Sequence, residues 1–275
     1  MINKSEFVEE VLQMQNSDNK YKIFNRDIMK YLALIPMFIG HTVAWINLMD
    51  RPYNDYALYE LPTVLLMISG LSLFCPPVMF FFVADGYKYT RDRKKYALRL
   101  LLFAIITQPF DWLVFQPVYG WWTSNVIFTL FFGLMSIICW ESKFKLWKRI
   151  LLVIFCAAAT ILIYSDWLVF GVLFILFLHI FRERPKLRFT VYTSLALAHC
   201  LLNLFSLGNG NIPTFKLITY IVVMFAALMA AYFCMTVFYN GKKGKHHSFA
   251  KWFFYAFYPI HYLIIWVVKM CIDKF

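Results

Sequence analysis

The chain has 275 residues, of which 61% are hydrophobic, 20% aromatic and only 15% charged. A soluble domain carries about a quarter charged residues, and a disordered chain lacks the aromatic and aliphatic residues abundant here, so both classes are excluded. The formal net charge of +12 arises from basic clusters set between long apolar runs, which is a pattern of membrane topology and not of nucleic-acid binding.

Residues 1–29 form a polar segment in which Glu6, Glu9, Glu10, Asp18 and Asp27 alternate with lysines. It lacks the apolar stretch that follows the short basic start of a signal peptide. Within it, Phe7, Val8, Val11, Leu12 and Met14 fit either a short amphipathic helix on a membrane surface or a solvated tail. From residue 30 to 275 the chain reads as a single transmembrane domain.

A helix needs about 20 apolar residues to cross about 30 Å of hydrocarbon. Nine stretches predict spans, at 30–49, 61–84, 97–115, 125–140, 150–164, 167–181, 189–207, 215–238 and 252–271. The fourth to sixth are short, which implies tilt or local thinning of the bilayer. Pro76-Pro77 predicts a break in the second span, buried among other helices or lining a cavity, because proline frees backbone groups that hydrocarbon cannot satisfy. The expected fold class is therefore all-α, a polytopic transmembrane helical bundle. With the N-terminus placed in the cytoplasm, 23 of the 27 Lys and Arg fall on inner segments, and only Arg51, Lys216, Lys269 and Lys274 fall outside. The odd span count puts the C-terminus outside. The six cysteines lie apart and form no CxxC pair, so they read as small apolar packing residues and not as a disulfide framework or zinc site.

Ionisable residues inside spans are costly and mark candidate functional sites. His41 lies 11 residues past Lys30, His199 lies 11 past Arg188, and His261 lies 10 past Lys251. At 1.5 Å per residue all three sit about 16 Å deep, near the midplane. Histidine is the natural general base near neutral pH, although an intramembrane histidine also serves as an interhelical hydrogen-bonding residue. His199 has Asn203 one turn on, which predicts a local pair. His179 lies near a span end and is expected to snorkel, while His246 and His247 belong to a basic loop. Asp111, after Pro109, either orients a histidine or remains at the outer interface. Asp166 and Asn125 open spans and fit helix caps. The basic loop at 88–99 is either a topology signal or a cytoplasmic binding site for an anionic cofactor or lipid headgroup. No HExxH or dense carboxylate set accompanies the histidines, so no metal is expected.

The run Val83-Ala84-Asp85-Gly86, followed by Thr90-Arg91, Tyr96 and Arg99, resembles the signature of TraX-like membrane proteins. Asn125 to Leu130 with Gly133, then Gly171-Val172-Leu173, then Tyr258-Pro259-Ile260-His261, also resemble their later motifs. Gly40 stands where family members often carry an aspartate before the first-span histidine. The family is named for a conjugation protein that N-acetylates a pilin subunit, and the closing Tyr-Pro-x-His is similar to the last helix of broader transmembrane acyltransferases. The resemblance implies transfer of an acetyl group from acetyl-CoA to an amine or hydroxyl of a peptide or glycan acceptor, in a bacterial cytoplasmic membrane. On that reading His41 or His261 is the base, and Asp111, Asn125 or Tyr258 orients it or stabilises the oxyanion. Asp85, Lys88, Arg91, Arg93, Lys94, Lys95 and Arg99 form the cofactor-binding region. A transporter using the histidines as a proton relay, and a non-catalytic membrane assembly factor, are the rival readings. The topology is testable directly: a cysteine placed at Gly120 should be labelled from outside, and a reporter after Phe275 should be active only there, whereas a cytoplasmic C-terminus would refute nine spans.

Overall fold

The computed structural model describes residues 21–49, 60–119, 122–207 and 212–274. The expected surface helix around Phe7 to Met14 lies outside the described residues. Within them the structure is helical and contains no strand, only isolated bridges. The helices are α1 (Arg26–Leu48), α2 (Thr63–Leu71), α3 (Cys75–Tyr89), α4 (Arg93–Tyr119), α5 (Val126–Trp140), α6 (Leu146–Leu162), α7 (Leu168–Ile180), α8 (Pro185–Leu207), α9 (Thr214–Phe233) and α10 (His247–Ile272).

α2 and α3 are one rod. A 3-10 turn at Ser72–Phe74 joins them, and Pro76 and Pro77 occupy the first turn of α3, where a missing N–H costs least. The expected break is thus a tightening of the helix and not an interruption. Among the described residues, five rods are long and apolar enough to cross a membrane: Arg26–Leu48, Thr63–Tyr89, Arg93–Gln116, Thr214–Phe238 and Ser248–Ile272. α5 and α7 are apolar but only 15 and 13 residues long. α1 begins at Arg26, four residues before the expected boundary, because Asn25 caps it by accepting from the backbone N–H groups of Asp27 and Ile28, both at 3.0 Å.

The rods close into a ring. α1 packs on α2, α2 on α9, α9 on α8, α8 on α7, α7 on α5, α5 on α4, α4 on α10, and α10 returns to α1. α3 runs down the middle, against α1, α5, α7 and α9, and α6 lies outside on α5 and α7. Apolar or small residues on all sides of α3 suit that central place: Cys75, Val78, Phe80, Phe82, Val83, Ala84 and Tyr87 are all buried. α6, by contrast, exposes Leu151, Ile154, Phe155 and Leu162, as a peripheral helix against lipid would.

Two glycines permit close helix approach. A Cβ on Gly40 would lie 2.6 Å from the Ser72 Cβ, so the 3-10 turn rests directly on α1. A Cβ on Gly171 would collide with the Thr129 methyl and crowd Phe80, where α3, α5 and α7 meet. Gly171→Val should therefore destabilise the bundle by about 1–3 kcal/mol, the usual cost of overpacking, read as a lowered thermal midpoint in detergent. An unchanged midpoint would show that the α5–α7 contact is not tight.

A basic-mouthed cavity leading to a histidine pair

The ring encloses a cavity of about 620 Å³. Two helix stripes draw its axis. On α1, Arg26, Lys30, Leu34, Met37, His41 and Trp45 follow one another at steps of three or four residues, and all line the cavity. On α10, Lys251, Phe254, Tyr255 and Tyr258 share one helix face and line it too. α4 adds Tyr96, Arg99 and Leu100. The cavity is thus basic at the end where α1 and α10 begin, and carries histidine deeper in.

At that depth His41 Nδ1 lies 3.3 Å from His261 Nε2. His261 Nδ1 lies 3.3 Å from the Phe257 carbonyl, which only accepts. A neutral His261 therefore donates from Nδ1 and accepts at Nε2, so His41 donates from Nδ1 and keeps a lone pair at Nε2. His261 is fully buried, stacked on Phe257, while His41 lines the cavity. The pair is a cavity-lining imidazole held by an enclosed one. Tyr262 lies flat against the His41 ring, with centroids 5.9 Å apart and an interplanar angle of 12°. The Tyr262 hydroxyl is 3.1 Å from that of Tyr258, and either can donate to the other.

Asp111 is buried, not interfacial, and accepts from Gln108 at 3.3 Å. Among the described residues the side chain makes no hydrogen bond to either histidine, so it does not orient the base directly. Asn125 caps α5 through Ile127 N–H, and its Nδ2 donates to the Ala104 carbonyl and Gln108, both at 2.9 Å. Those bonds tie α5 to α4 and commit the side chain away from the cavity wall.

Asp166 departs from its expected role. Trp167, not Asp166, sits at the cap of α7, and no side chain caps that helix. Tyr164, Trp167 and Leu168 all have positive φ, at 50°, 67° and 38°, a run that costs about 1–3 kcal/mol per residue. The backbone of this turn is pinned by Ser124 N–H to the Tyr164 carbonyl at 3.1 Å and Asp166 N–H to the Ser124 carbonyl at 3.0 Å. The Asp166 side chain lines the cavity. The expected His199–Asn203 pair is also different: Asn203 donates to the His199 backbone carbonyl at 2.9 Å, and the imidazole instead stacks on Trp167 at 4.7 Å. His199 and Asn203 both line the cavity. His179 pairs with Glu141 at 2.9 Å. Among the described residues no three His, Cys, Asp or Glu side chains cluster as metal ligands would.

The sequence-predicted cofactor region separates into three parts. Lys88, Arg91, Arg93, Lys94 and Lys95 are exposed and lie off the cavity. Arg99 lines it. Asp85 is a buried structural hub, bonded to Arg26 at 2.6 Å, Arg182 at 2.9 Å and the Tyr239 hydroxyl at 3.1 Å. Burial, and then the Asp85 carboxylate, push the Tyr239 phenol up to about 12, so it stays protonated and donates. The hub joins the starts or ends of α1, α3, α7 and α9 and holds Arg26 at the cavity mouth. Arg26, Lys30, Lys251 and Asp166 are the lining residues that sequence reading assigned to topology or capping. The steps from 26 to 30, and from 30 through 34 and 37 to 41, placed the two cations on the histidine's face of α1.

These features define a helical membrane protein with an internal, polarised cavity. The chain belongs to the TraX family: the family described as TraX protein matches residues 25–269. It is 30% identical over 251 residues to the probable fimbrial assembly protein FimC, serogroup H1, of Dichelobacter nodosus, covering 88% of this chain and 94% of that protein. No solved structure matches. Asp85→Ala leaves the buried Arg26 and the partly buried Arg182 without their counter-charge and should cost about 3–5 kcal/mol of stability, read by thermal unfolding in detergent. A variant as stable as the parent would remove Asp85 from the frame.

Proposed function

We propose that the protein is a membrane-embedded acetyltransferase that moves an acetyl group from cytoplasmic acetyl-CoA to an amine or hydroxyl of its acceptor. The observation that carries this reading is the His41–His261 pair, with the uncommitted His41 Nε2 on a cavity wall. Membership of the TraX family and the cavity's basic mouth support it. In the proposed reaction the acceptor N–H or O–H lies against His41 Nε2. As the acceptor atom attacks the thioester carbonyl, its proton passes to His41. The tetrahedral intermediate then expels the CoA thiolate, which takes the proton back from the imidazolium, leaving an amide or ester and free thiol. His261 positions His41 by fixing its tautomer, and its neutral partner helps spread the imidazolium charge. The bundle walls exclude bulk water that would hydrolyse the thioester.

Asp166, His199 and Asn203 occupy another part of the same cavity and offer polar contacts to an acceptor. The name of the Dichelobacter relative, a fimbrial assembly protein, favours a pilin-like peptide as that acceptor and the bacterial cytoplasmic membrane as the setting. Loss of a general base slows a reaction by about 10²–10⁴. His41→Ala should lower label transfer from radioactive acetyl-CoA by that factor in membranes containing the acceptor, and His199→Ala should cost less. Label transfer undiminished in His41→Ala would end the catalytic reading and leave an assembly factor or transporter.

A further inference from the structure

The cavity mouth carries more positive charge than the protein neutralises. The Lys30 ammonium lies between two aromatic rings, 5.3 Å from the Phe82 centroid and 5.2 Å from that of Phe254. The Arg99 guanidinium lies 5.9 Å from the Tyr96 centroid, and its buried Nε has no hydrogen-bond partner. Lys251 sits 4.8 Å from the Trp252 centroid. Among the described residues none of these three makes an ion pair. The nearby carboxylates hold other partners: Asp85 bonds Arg26 and Arg182, and Asp27, which also lines the cavity, accepts from Gly244 N–H at 3.1 Å. Three partly buried cations lining one cavity and backed by aromatic faces repel one another and attract a polyanion.

We infer that Lys30, Arg99 and Lys251 form a diphosphate-binding site inside the cavity, and that it holds the anionic half of the acyl donor. The exposed 88–95 cluster is then a topology signal and not the cofactor site. The second half of this inference rests on the acetyltransferase reading; the anion site itself does not. Spacing supports the donor over a free anion. Lys30 and His41 share one face of α1 and are 11 residues apart, which is about 16 Å at the helical rise. That separation suits an extended pantetheine arm with its diphosphate at Lys30 and its thioester beside His41. A lipid headgroup would supply the same phosphate chemistry without a group to reach the histidine.

The test is equilibrium binding to the full chain in phosphatidylcholine nanodiscs, with no acceptor present. CoA should bind, inorganic diphosphate should displace it, and pantetheine alone should bind far more weakly. Lys30→Gln and Arg99→Gln should each weaken CoA about tenfold or more, as loss of a hydrogen bond to a charged group does, while Arg91→Gln and Lys94→Gln should leave it near the parent value. Arg99→Lys should recover part of the loss. If Lys30→Gln or Arg99→Gln fails to fold, displacement of CoA by diphosphate on the unaltered protein decides the matter. Failure of diphosphate to displace CoA, or a loss centred on Arg91 and Lys94, would overturn the inference. So would phosphatidylglycerol filling the site while CoA does not bind, which would assign it to a lipid headgroup. CoA binding with the expected losses but without acetyl transfer would keep the site and sink the enzyme reading. Transfer at the parental rate and CoA affinity in Lys30→Gln and Arg99→Gln would do the reverse.

Discussion

A polar group buried in a low-dielectric interior without a partner costs about 1–3 kcal/mol, and more if it is charged. That constraint divides the polar side chains of this bundle into two sets. One set is closed: Asp85 with Arg26, Arg182 and Tyr239, then Asn125 with Gln108 and the Ala104 carbonyl, then Asp111 with Gln108. The first two of these groups each tie two or more rods together. The other set faces the cavity and is left open by the protein: Lys30, Arg99, Lys251 and His41 Nε2. The frame and the site are thus distinguished by whether the chain itself supplies the partner.

The closed set also explains how a cavity of about 620 Å³ persists among close-packed helices. Ring closure alone would allow the rods to collapse onto α3. At the basic end the Asp85 hub fixes where α1 and the ends of α7 and α9 meet α3, so those rods cannot slide inward without breaking its bonds. At the opposite end the strained turn from Tyr164 to Leu168 is clasped by Ser124 and by Thr129, which hydrogen-bonds to Ser165 Oγ at 2.6 Å and to the Asp166 carbonyl. Backbone strain of this kind persists only where its surroundings over-determine it. Here it turns Asp166 into the cavity, at the far side from the lysines.

Much of this was legible from spacing. Apolar runs marked the rods to within a few residues, since hydrocarbon forces every backbone group into helical pairing. That His41 and His261 would lie level with one another followed from helical rise alone. What escaped was whatever depended on partners distant in sequence. Asp85 looked like part of a basic binding motif, yet its three partners come from residues 26, 182 and 239. Asp166 looked like a helix cap, because a residue before an apolar run usually is one, and nothing local announced three positive φ angles. Lys30 and Lys251 were absorbed into the orientation count, where a cation at a span end is expected whether or not it serves a ligand. Arg99 lies more than a turn further along α4 than Arg93, and of the two it is the one that lines the cavity.

The meeting of His41 and His261 shows how local rules can encode a distant contact. α1 and α10 both begin at the basic end and are packed side by side, so they run parallel. Parallel neighbours share a ruler: equal numbers of residues from a common end reach equal depth, at 1.5 Å each. Lys30 to His41 is 11 residues and Lys251 to His261 is 10, and the two imidazoles lie 3.3 Å apart across 220 residues of chain. One of the pair must be enclosed for the other to be fixed. Pro259, two residues before His261, removes the N–H that would bond the Tyr255 carbonyl, but the Phe257 carbonyl remains to accept His261 Nδ1–H. The same stretch of α10 therefore supplies both the buried histidine and the acceptor that sets its tautomer, and that tautomer leaves the lone pair on His41, the histidine that lines the cavity.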